Sequence, residues 1–494
     1  MILDKKTIQK FNETLKKEGV FDLARVLRKK FSKAELYLVG GSVRDIVLDR
    51  PVKDIDILIC KVKIKDLERE LKKIGKVSLV GQRFSVLKFV PKNGKGYIDI
   101  AIPRKDFPKG TGIYKDLKVK SDPNLPIECD LERRDFTINT MAWNILKEEL
   151  VDPFGGMEDL KRKIIRTVGR AQERFREDYS RMLRAIRFAM QLNFKIEDRT
   201  RRAIKKHIGH IDDKIGKERK VPYEIISSEF LKAFDAEPIK TIELYFDCGA
   251  MKKLMPEICA MKSCTQPKEF HSEGDVLTHT LLALKSLDSK MFKKYFSQPI
   301  TLTTKIAILL HDVGKPKTKK KIQGKIKFRN HAQEGAKIAK KMLGRMKMSA
   351  PPEVGINVEE AAWLINNHLL FLHTDPEKMK KTTFEKYLFN ERFSGEAHLW
   401  LFLADAMATK PAGKNTDFTR FKKAYKLWKE MQKEEKKKPP KSLLNGREVM
   451  NILKIKSGPK VGEILELLRE EQLNKRIKNK NQAKIFLKKT PLVN

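Results

Sequence analysis

The stretch LYLVGGSVRDIVLDRPVKDIDILI, residues 36–59, decides the fold of the N-terminal part of this chain. The apolar run Leu36–Val39 predicts a strand, and the two glycines after it predict a turn where the backbone comes close to another group. Ser42 is a favourable N-cap for a short helix that ends before Pro51. The apolar residues that follow predict a second strand.

Two carboxylates lie on this second strand. Asp54 and Asp56 are two residues apart, so they point to one face of a strand while Ile55 and Ile57 point into the core. Adjacent acidic groups repel one another, and a divalent cation is their most favourable partner. A glycine turn that leads into a helix beside such a cation predicts a site for a nucleoside triphosphate.

The chain continues with elements that extend this unit. Residues 65–75 predict a helix, and residues 78–91 predict a pair of strands. The alternating pattern of residues 97–102 predicts another strand, on which Asp99 becomes a third carboxylate if that strand lies beside the first two aspartates. Residues 103–130 are polar and rich in Gly, Pro and Lys, and they predict a mobile loop.

Length, charge and cysteine content limit the possible functions of the protein. A length of 494 residues predicts three or four domains, and 106 Lys and Arg against 64 acidic residues give a formal charge of +42. Such an excess predicts a polyanionic partner, with nucleic acid as the leading candidate, and the alternative is a solvated lysine-rich surface. The five cysteines contain no CxxC pair, which favours a reducing compartment over a zinc ribbon or disulfides.

The sequence also predicts a cytoplasmic protein without membrane contact. No apolar run approaches the roughly 18 residues that span a bilayer. The N-terminal residues predict an amphipathic helix rather than a signal sequence.

Two further motifs suit nucleotide binding. The segment ERRDFTINTMAWN, residues 132–144, places arginines and an aspartate where phosphate and ribose contacts are expected. Residues 176–194 predict a helix with a stripe of five apolar residues and with Asp178 and Arg181 at i, i+3. Arg184 and Arg187 continue the three-residue spacing. Each such step drifts about 60° around the helix axis, so these four residues cannot all contact one small group. From spacing alone, an exposed helix whose charged side chains form salt bridges is an equally supported alternative to a binding site.

A second cluster follows a predicted boundary at Met255–Pro256. A lone histidine is more often a buried core residue than a ligand, whereas an adjacent His–Asp pair at the end of an apolar helix needs partners or a metal. The candidate ligands within about 130 residues are His279, His311, Asp312, His331, His368 and Asp405. Residues 314–330 predict a basic hairpin that turns at Gln323–Gly324, and it either contacts phosphate or is solvated.

The order GGSVRD, DID, ERRDFTIN, LVDPFGG and EDYSRMLRAIRF resembles class II tRNA nucleotidyltransferases and the related bacterial poly(A) polymerases. Residues 279–405 resemble the HD phosphohydrolase domain of many bacterial members, and the likeness runs from about Lys33 to Lys489. It implies an α+β fold, in which a polymerase-β-like domain with a small mixed sheet precedes an all-α neck and body, an HD domain and a helical tail. The predicted segments are a helical extension (1–32), a catalytic head (33–145), a helical nucleotide-selecting and RNA-binding domain (146–255), the HD domain (256–428), a charged linker (429–441) and a helical tail (442–494).

The resemblance also implies residue roles. The catalytic carboxylates would be Asp54, Asp56 and Asp99, with two Mg²⁺ ions bound at Asp54 and Asp56. The triphosphate would be held by Gly40, Gly41 and Arg44, the phosphate and ribose by Arg134, Asp135 and Asn139, and the incoming base by Glu177, Asp178 and Arg181. Arg184 and Arg187 are counted with the nucleotide site, although the helical drift favours phosphate, RNA or structural roles. The six ligands of the second cluster would hold a divalent transition metal (Ni, Mn, Co, Fe or Zn).

The residue chemistry makes the choice of base specific. A carboxylate only accepts hydrogen bonds and a guanidinium only donates them. Cytosine and adenine present an amino donor beside a ring-nitrogen acceptor, so Asp178 and Arg181 would satisfy either base. Uracil and guanine would leave Asp178 facing an acceptor, which is strongly unfavourable.

These features predict a template-independent enzyme that adds CMP and AMP, from CTP and ATP, to the 3′ end of tRNA. The alternatives within the class are a poly(A) polymerase and an enzyme that adds only CC or only A. An alternative of another class is an HD phosphohydrolase acting on cyclic nucleotides or RNA ends. A non-catalytic RNA-binding protein is disfavoured by the intact carboxylates.

Overall fold

A computed structural model describes residues 3–80, 86–92, 96–113, 116–390, 392–435 and 442–489. The chain forms two compact units, Met1–Met255 and Pro256–Asn494, and the predicted boundary at Met255–Pro256 lies at their division. The finer domain limits stay predictions. The last long helix before residue 436 extends into the segment predicted as a charged linker, and residues 436–441 lie outside the described part.

The N-terminal unit contains both helices and strands. Its helices are α1 (Lys5–Lys17), α2 (Val20–Lys30), α3 (Gly41–Val47), α4 (Ile64–Ile74), α5 (Ile127–Glu132), α6 (Gly156–Arg162), α7 (Ala171–Glu177), α8 (Ser180–Leu192), α9 (Asp198–His207), α10 (Tyr223–Ala236), α11 (Pro238–Cys248) and α12 (Ala250–Leu254). Its strands are β1 (Glu35–Val39), β2 (Ile55–Cys60), β3 (Gly75–Val80), β4 (Val86–Pro91), β5 (Ile98–Ala101), β6 (Arg104–Pro108), β7 (Leu117–Ser121), β8 (Ala142–Asn144), β9 (Glu149–Val151), β10 (Ile164–Ile165), β11 (Lys195–Ile196), β12 (Lys214–Ile215) and β13 (Glu218–Arg219).

A mixed sheet forms the centre of this unit and confirms the predicted sheet with helices. Its strand order is β3-β4-β5-β2-β1-β8-β9, in which β2 and β5 are parallel and the other neighbours antiparallel. The adjacent β1 residues Leu38 and Val39 point to opposite faces of the sheet and are both buried, so this strand is covered on both faces. The amphipathic helix α1 covers the sheet by stacking Phe11 on Trp143, with ring centroids 4.4 Å apart.

Residues 103–130 differ from the predicted loop. They form an antiparallel hairpin of β6 and β7, in which Arg104 pairs with Ser121 and Pro108 with Leu117, and then helix α5. The polar composition misled the prediction because an exposed two-stranded ribbon needs few apolar residues on either face.

The helical region after residue 170 also differs from the prediction. Helix α7 ends at Glu177, Asp178 is extended (φ −155°, ψ 105°), and α8 begins at Ser180. The break arises because Asp178 Oδ1 accepts a hydrogen bond from the Ser180 N–H at 2.8 Å, which favours an aspartate just before a helix over one inside it. Asp178 is therefore not on one helix with Arg181. The helical-wheel argument, which placed Asp178, Arg181, Arg184 and Arg187 on one helix, therefore does not apply to Asp178.

The predicted apolar stripe itself faces the core. On α8 the buried members are Met182, Leu183, Ile186 and Ala189, whereas Met190 is half-buried. The small pairs β10–β11 and β12–β13 interrupt a region that was predicted as wholly helical.

The C-terminal unit is mainly helical. Its helices are α13 (Pro256–Met261), α14 (Val276–Ser286), α15 (Lys290–Tyr295), α16 (Leu302–Leu310), α17 (Lys315–Thr318), α18 (His331–Arg345), α19 (Val358–Asn367), α20 (Leu370–His373), α21 (Lys381–Leu388), α22 (Gly395–Ala408), α23 (Thr419–Glu435), α24 (Gly446–Leu453), α25 (Pro459–Leu473) and α26 (Lys480–Lys489). The predicted basic hairpin is confirmed: β14 (Lys319–Ile322) and β15 (Lys325–Phe328) pair across left-handed Gln323 and Gly324. The tail helices α24–α26 share a small apolar core around Val449 and Leu468.

Two expectations about the whole chain concern cysteines and membranes. All five cysteine thiols are free. Among the described residues, no helix combines the length and apolar character needed to cross a membrane.

Candidate functional site

The parallel register of β2 and β5 brings the predicted carboxylates together. Asp56 pairs with Asp99 across the two strands, and Asp54 immediately precedes β2. Burial raises the pKa of Asp56, Arg134 lowers it, and the charges of Asp99 and Asp54 raise it further. Burial also raises the pKa of Asp99. Three neighbouring carboxylates that repel one another are a donor set that fits a divalent cation.

The glycine turn lies directly against this acidic group. Gly40 has φ +75°, and a Cβ atom there would lie 2.5 Å from Nη1 of Arg134 and 3.9 Å from Oδ2 of Asp56. A side chain at this position would therefore both strain the turn and displace the arginine. The turn brings the guanidinium of Arg134 beside the carboxylates, where it can contact a phosphate.

The predicted cap at Ser42 is wrong. Helix α3 begins at Gly41, its N-cap residue is Gly40, and Ser42 lies within the first turn. The Ser42 hydroxyl instead donates a hydrogen bond to the backbone carbonyl of Asp54 at 2.8 Å. This bond ties the helix after the glycine turn to the strand that carries the carboxylates.

The residues predicted to contact phosphate and ribose form one network. Nη1 of Arg44 donates to Oδ1 of Asn139 at 2.8 Å, and Asn139 Nδ2 donates to Oδ1 of Asp135 at 3.3 Å. Arg184 then holds Oδ2 of Asp135 through Nε at 2.7 Å and Nη2 at 2.6 Å. Although burial raises the pKa of Asp135, the guanidinium of Arg184 brings it down to about 2. The aspartate is thus a permanent anion that orients both neighbours.

The predicted base-selecting residues also lie together. Nη1 of Arg181 donates to Oε2 of Glu177 at 2.7 Å, and Arg174 donates to the same oxygen at 3.0 Å. Asp178 uses Oδ1 to accept from Ser180, and burial raises the pKa of Asp178. Hydrogen bonds thus hold one oxygen of Asp178 and the guanidinium of Arg181 near the start of α8, and contact of either group with a base stays a prediction.

Arg184 and Arg187 are held by buried carboxylates. Arg184 pairs with Asp135, and Nε of Arg187 donates to Oε2 of Glu229 on α10 at 2.5 Å. Both partners are less than a tenth exposed. These contacts suit a structural role, which was one of the predicted alternatives, and a nucleotide contact of either arginine stays a prediction.

Three residues of the site were not identified from the sequence. Asp130 is fully buried and pairs with Nη2 of Arg133 at 2.9 Å and Nη2 of Arg134 at 3.2 Å. Its i, i+3, i+4 spacing from the two arginines was a usable signal. The hydroxyl of Tyr97 donates to Oδ1 of Asp54 at 3.2 Å, and Nζ of Lys88 lies 3.7 Å from the centre of the Tyr97 ring. Only the pairing of β4 with β5 brings Lys88 there.

The second predicted cluster converges around Asp312. Two donor sets, each with ligand atoms within 4.8 Å of one another, share this residue: His279, His311 and Asp312 form one, and Asp312, His331 and His368 form the other. Oδ1 of Asp405 lies 3.0 Å from Nε2 of His279 and 3.7 Å from Nε2 of His311. All six predicted ligands are therefore brought together.

The histidine tautomers favour metal binding. The Nδ1 atoms of His311, His331 and His368 lie 2.7–2.8 Å from backbone carbonyls three residues earlier, so Nδ1 is the donor and Nε2 keeps its lone pair. The Nε2 atoms of His311 and His331 are buried and lack a hydrogen-bond partner among the described residues. Buried nitrogen lone pairs beside a carboxylate are the ligand type that divalent transition metals prefer.

Hydrogen bonds and charges in this cluster shift several pKa values. Burial lowers the pKa of His279, but its bonds to Asp405 and Glu273 bring it up to about 9. Burial lowers the pKa of His368 to about 3. Glu273 and Lys315 were not identified from the sequence: Glu273 accepts from His279 at 2.8 Å, and Nζ of Lys315 lies 2.6 Å from Oδ2 of Asp312. Lys315 stands three residues after Asp312, a helical spacing that could have revealed it.

Three family models match the chain. A model described as the Poly A polymerase head domain matches residues 36–166. A model described as a probable RNA and SrmB-binding site of polymerase A matches residues 193–262. An HD domain model matches residues 289–409. The first covers the sheet with the three carboxylates, and the last covers most of the Asp312 cluster.

Curated relatives belong to one class of enzyme. The A-adding tRNA nucleotidyltransferase of Deinococcus radiodurans is 32% identical over 378 residues, which cover 74% of this chain and 80% of that protein. The Multifunctional CCA protein of Neisseria gonorrhoeae is 33% identical over 285 residues, which cover 58% of this chain and 63% of that protein.

Solved structures share the fold at lower identity. The Bacillus stearothermophilus CCA-adding enzyme in complex with CTP matches with a TM-score of 0.60 and 21% identity, over 94% of this chain and 96% of that one. The Thermotoga maritima CCA-adding enzyme complexed with tRNA matches with a TM-score of 0.58 and 21% identity, over 95% of this chain and 94% of that one. Together with the carboxylate site and the relatives above, this fold shows that the chain is a nucleotidyltransferase with an HD domain and belongs to the family of tRNA nucleotidyltransferases and poly(A) polymerases.

Proposed function

We propose that this enzyme completes the CCA end of tRNA by adding CMP and AMP from CTP and ATP to the 3′ end. The carrying observation is the group of three carboxylates beside the Gly40 turn, because nucleotidyl transfer needs metal ligands next to a phosphate-binding turn. The relatives named as A-adding and as multifunctional CCA proteins support tRNA as the acceptor. A cytoplasmic location stays a prediction.

The chain's own residues divide the work. Asp54, Asp56 and Asp99 would hold Mg²⁺, which when bound supplies charge neutralisation at the α-phosphate and lowers the pKa of the attacking 3′-hydroxyl. Arg134 and the network of Arg44 and Asn139 would orient the triphosphate and ribose for in-line attack.

Base selection is assigned to Asp178 and Arg181. Glu177 fixes the Arg181 guanidinium. Asp178 would then offer an acceptor and Arg181 a donor to the incoming base, without a template strand. Cytosine and adenine satisfy both groups, whereas uracil and guanine leave buried polar atoms unpaired. The role of Arg184 would be to hold Asp135 in place rather than to contact the base.

The decisive experiment supplies one nucleotide at a time. The enzyme is incubated with tRNA ending before CCA, after C and after CC, together with labelled CTP, ATP, UTP or GTP. The proposal expects two C and then one A, and negligible U or G. Addition only to the CC end would identify an A-adding enzyme, and long A tracts on many RNAs would identify a poly(A) polymerase.

A second activity has its own supporting observation. A cavity of about 940 Å³ lies over the cluster around Asp312 and is also lined by Lys327 and Arg329. Divalent metals at this site would polarise a phosphate ester, and the two cations would attract it. We infer a metal-dependent phosphohydrolase acting on nucleotide or RNA-end phosphates, with nickel, manganese, cobalt, iron and zinc as the candidate metals.

The shared position of Asp312 predicts an unequal response to substitution. Asp312→Ala is expected to remove most of the bound divalent metal because Asp312 belongs to both donor sets, whereas His331→Ala should remove only part of it. Metal content by mass spectrometry and hydrolysis of bis(p-nitrophenyl) phosphate measure the effect. His398→Gln is the control, since that histidine is equally buried but bonds the Asn367 carbonyl instead. Equal metal loss in His331→Ala and Asp312→Ala would contradict the proposal that Asp312 serves both donor sets.

A further inference from the structure

Two cations lie beside the group of three carboxylates. Arg134 is next to Asp56 at the glycine turn, where it can contact a phosphate. Lys88 lies on β4, directly opposite Asp99 of β5. Residues that are directly opposite on neighbouring strands share a face of the sheet, so Lys88 points to the same face as Asp99 and Asp56. A positive charge is thus built into the sheet beside the metal-binding carboxylates.

The ammonium group of Lys88 is held by an aromatic ring rather than by a carboxylate. Within the described ranges, Nζ of Lys88 forms no ion pair with an acid, and it lies 3.7 Å from the centre of the Tyr97 ring. An aromatic face attracts a cation, so the ring competes with the nearby Asp99 for this ammonium group. The arrangement leaves the carboxylate of Asp99 for a metal ion.

The same tyrosine also contacts a second carboxylate of the site. Its hydroxyl donates a hydrogen bond to Oδ1 of Asp54 at 3.2 Å. The charge of Asp54 raises the pKa of Tyr97, which keeps the hydroxyl protonated as a donor. Tyr97 therefore holds Lys88 on the face of its ring and Asp54 at its hydroxyl.

The charge of Lys88 also acts on the site without direct contact. Burial raises the pKa of Asp99, and the charge of Lys88 lowers it. A positive charge that stabilises a carboxylate anion also repels a divalent cation bound to the same carboxylate. Mg²⁺ in nucleotide enzymes commonly binds through a few carboxylates together with substrate phosphates, which supply further negative charge.

We propose that Lys88 and Tyr97 together keep the metal affinity of the nucleotide-free site low, so that a divalent metal is held firmly only together with the triphosphate. Lys88 lowers the affinity through its charge, and Tyr97 limits this effect by holding the ammonium group on its ring. The inference rests on the proposed nucleotidyl transfer at the three carboxylates and adds two positioning residues to that site.

The test measures Mn²⁺ binding to the full chain by electron paramagnetic resonance, without nucleotide or RNA. Every protein in the series, including the parent, carries Asp312→Ala, so that the second metal cluster contributes little to the binding. Lys88→Met should lower the Kd for Mn²⁺ about tenfold, because a full positive charge near a divalent ion is removed. Lys88→Arg keeps that charge and should stay within about twofold of the parent. Lys147→Met, in the exposed turn between β8 and β9, is the charge-matched control and should leave Kd unchanged.

A double-variant cycle tests whether the two residues act as a pair. Tyr97→Leu frees the ammonium group to approach Asp99 and should raise the Kd for Mn²⁺ about threefold. Combining it with Lys88→Met should return Kd to the value of Lys88→Met alone, since no cation remains for the ring to hold. Tyr97→Phe keeps the ring and loses only the hydrogen bond to Asp54, so it should raise Kd less than Tyr97→Leu does.

Three results would overturn the proposal. These are an unchanged Kd for Mn²⁺ in Lys88→Met, an equal effect of Tyr97→Leu with and without Lys88, and Mn²⁺ binding that persists undiminished in Asp56→Asn. The first of them, together with a raised KM for CTP, would show that Lys88 contacts the triphosphate instead. Failure of the proposed function is distinguishable, because it appears as absent C and A incorporation in the separate nucleotide assay, whatever the Mn²⁺ affinity.

Discussion

Asp56→Asn is expected to lower nucleotide incorporation roughly a thousandfold, because loss of a metal-binding carboxylate removes several kcal/mol of transition-state stabilisation. Asp56 lies beside Asp99 in the parallel register and beside Arg134 at the turn, so its loss disturbs the centre of the site. Single-turnover incorporation of CMP at saturating CTP and Mg²⁺ measures the effect. Glu149→Gln, at the exposed edge strand of the same sheet, is the control and should retain activity.

The same variant is expected to retain or gain stability without metal. Burial and the neighbouring carboxylates raise the folded-state pKa of Asp56 above its unfolded value, so its ionisation lowers the free energy of unfolding as pH rises through these values. Asparagine has no such ionisation. In EDTA, the Asp56→Asn variant should therefore unfold at a higher temperature than the parent at pH 7. This difference in unfolding temperature should shrink toward pH 4. A variant less stable than the parent at pH 7 would show that the carboxylate is structural.

Asp178→Ala is expected to weaken the choice of base as well as the rate. Without the acceptor, the preference for CTP over UTP in kcat/KM should fall about a hundredfold or more, since a site built around hydrogen bonds owes its selectivity to them. Arg181→Ala should have a similar effect because the guanidinium supplies the paired donor, held by Glu177. Steady-state kinetics with each of the four nucleotides measures these ratios.

Asp22→Ala provides the control for this experiment. Asp22 is largely exposed on α2 and pairs only loosely with Arg25, at 3.8 Å, so its loss should leave all four nucleotide ratios unchanged. A fall in kcat/KM for all nucleotides by one common factor in Asp178→Ala would contradict base selection and indicate a general role in positioning.

By itself, the sequence determined the local elements and the chemistry they carry. The strand, glycine turn and helix at residues 36–47 and the basic hairpin at residues 319–328 follow from short-range periodicity and turn residues. Asp54 and Asp56, and the six ligands of the cluster that contains Asp312, were recognisable because their residue types and spacing favour metal binding. These signals lie within a few residues of one another, or within motifs of known order.

Only the tertiary structure decided which distant groups meet. The β2–β5 register places Asp99 beside Asp56, and the β4–β5 pairing brings Lys88 to Tyr97. Asp178 leaves the helical path because its side chain bonds Ser180, a local competition that apolar periodicity does not report. The buried carboxylate of Glu229 on α10 holds Arg187 of α8 across the fold, since a buried charge needs a partner that only packing can supply.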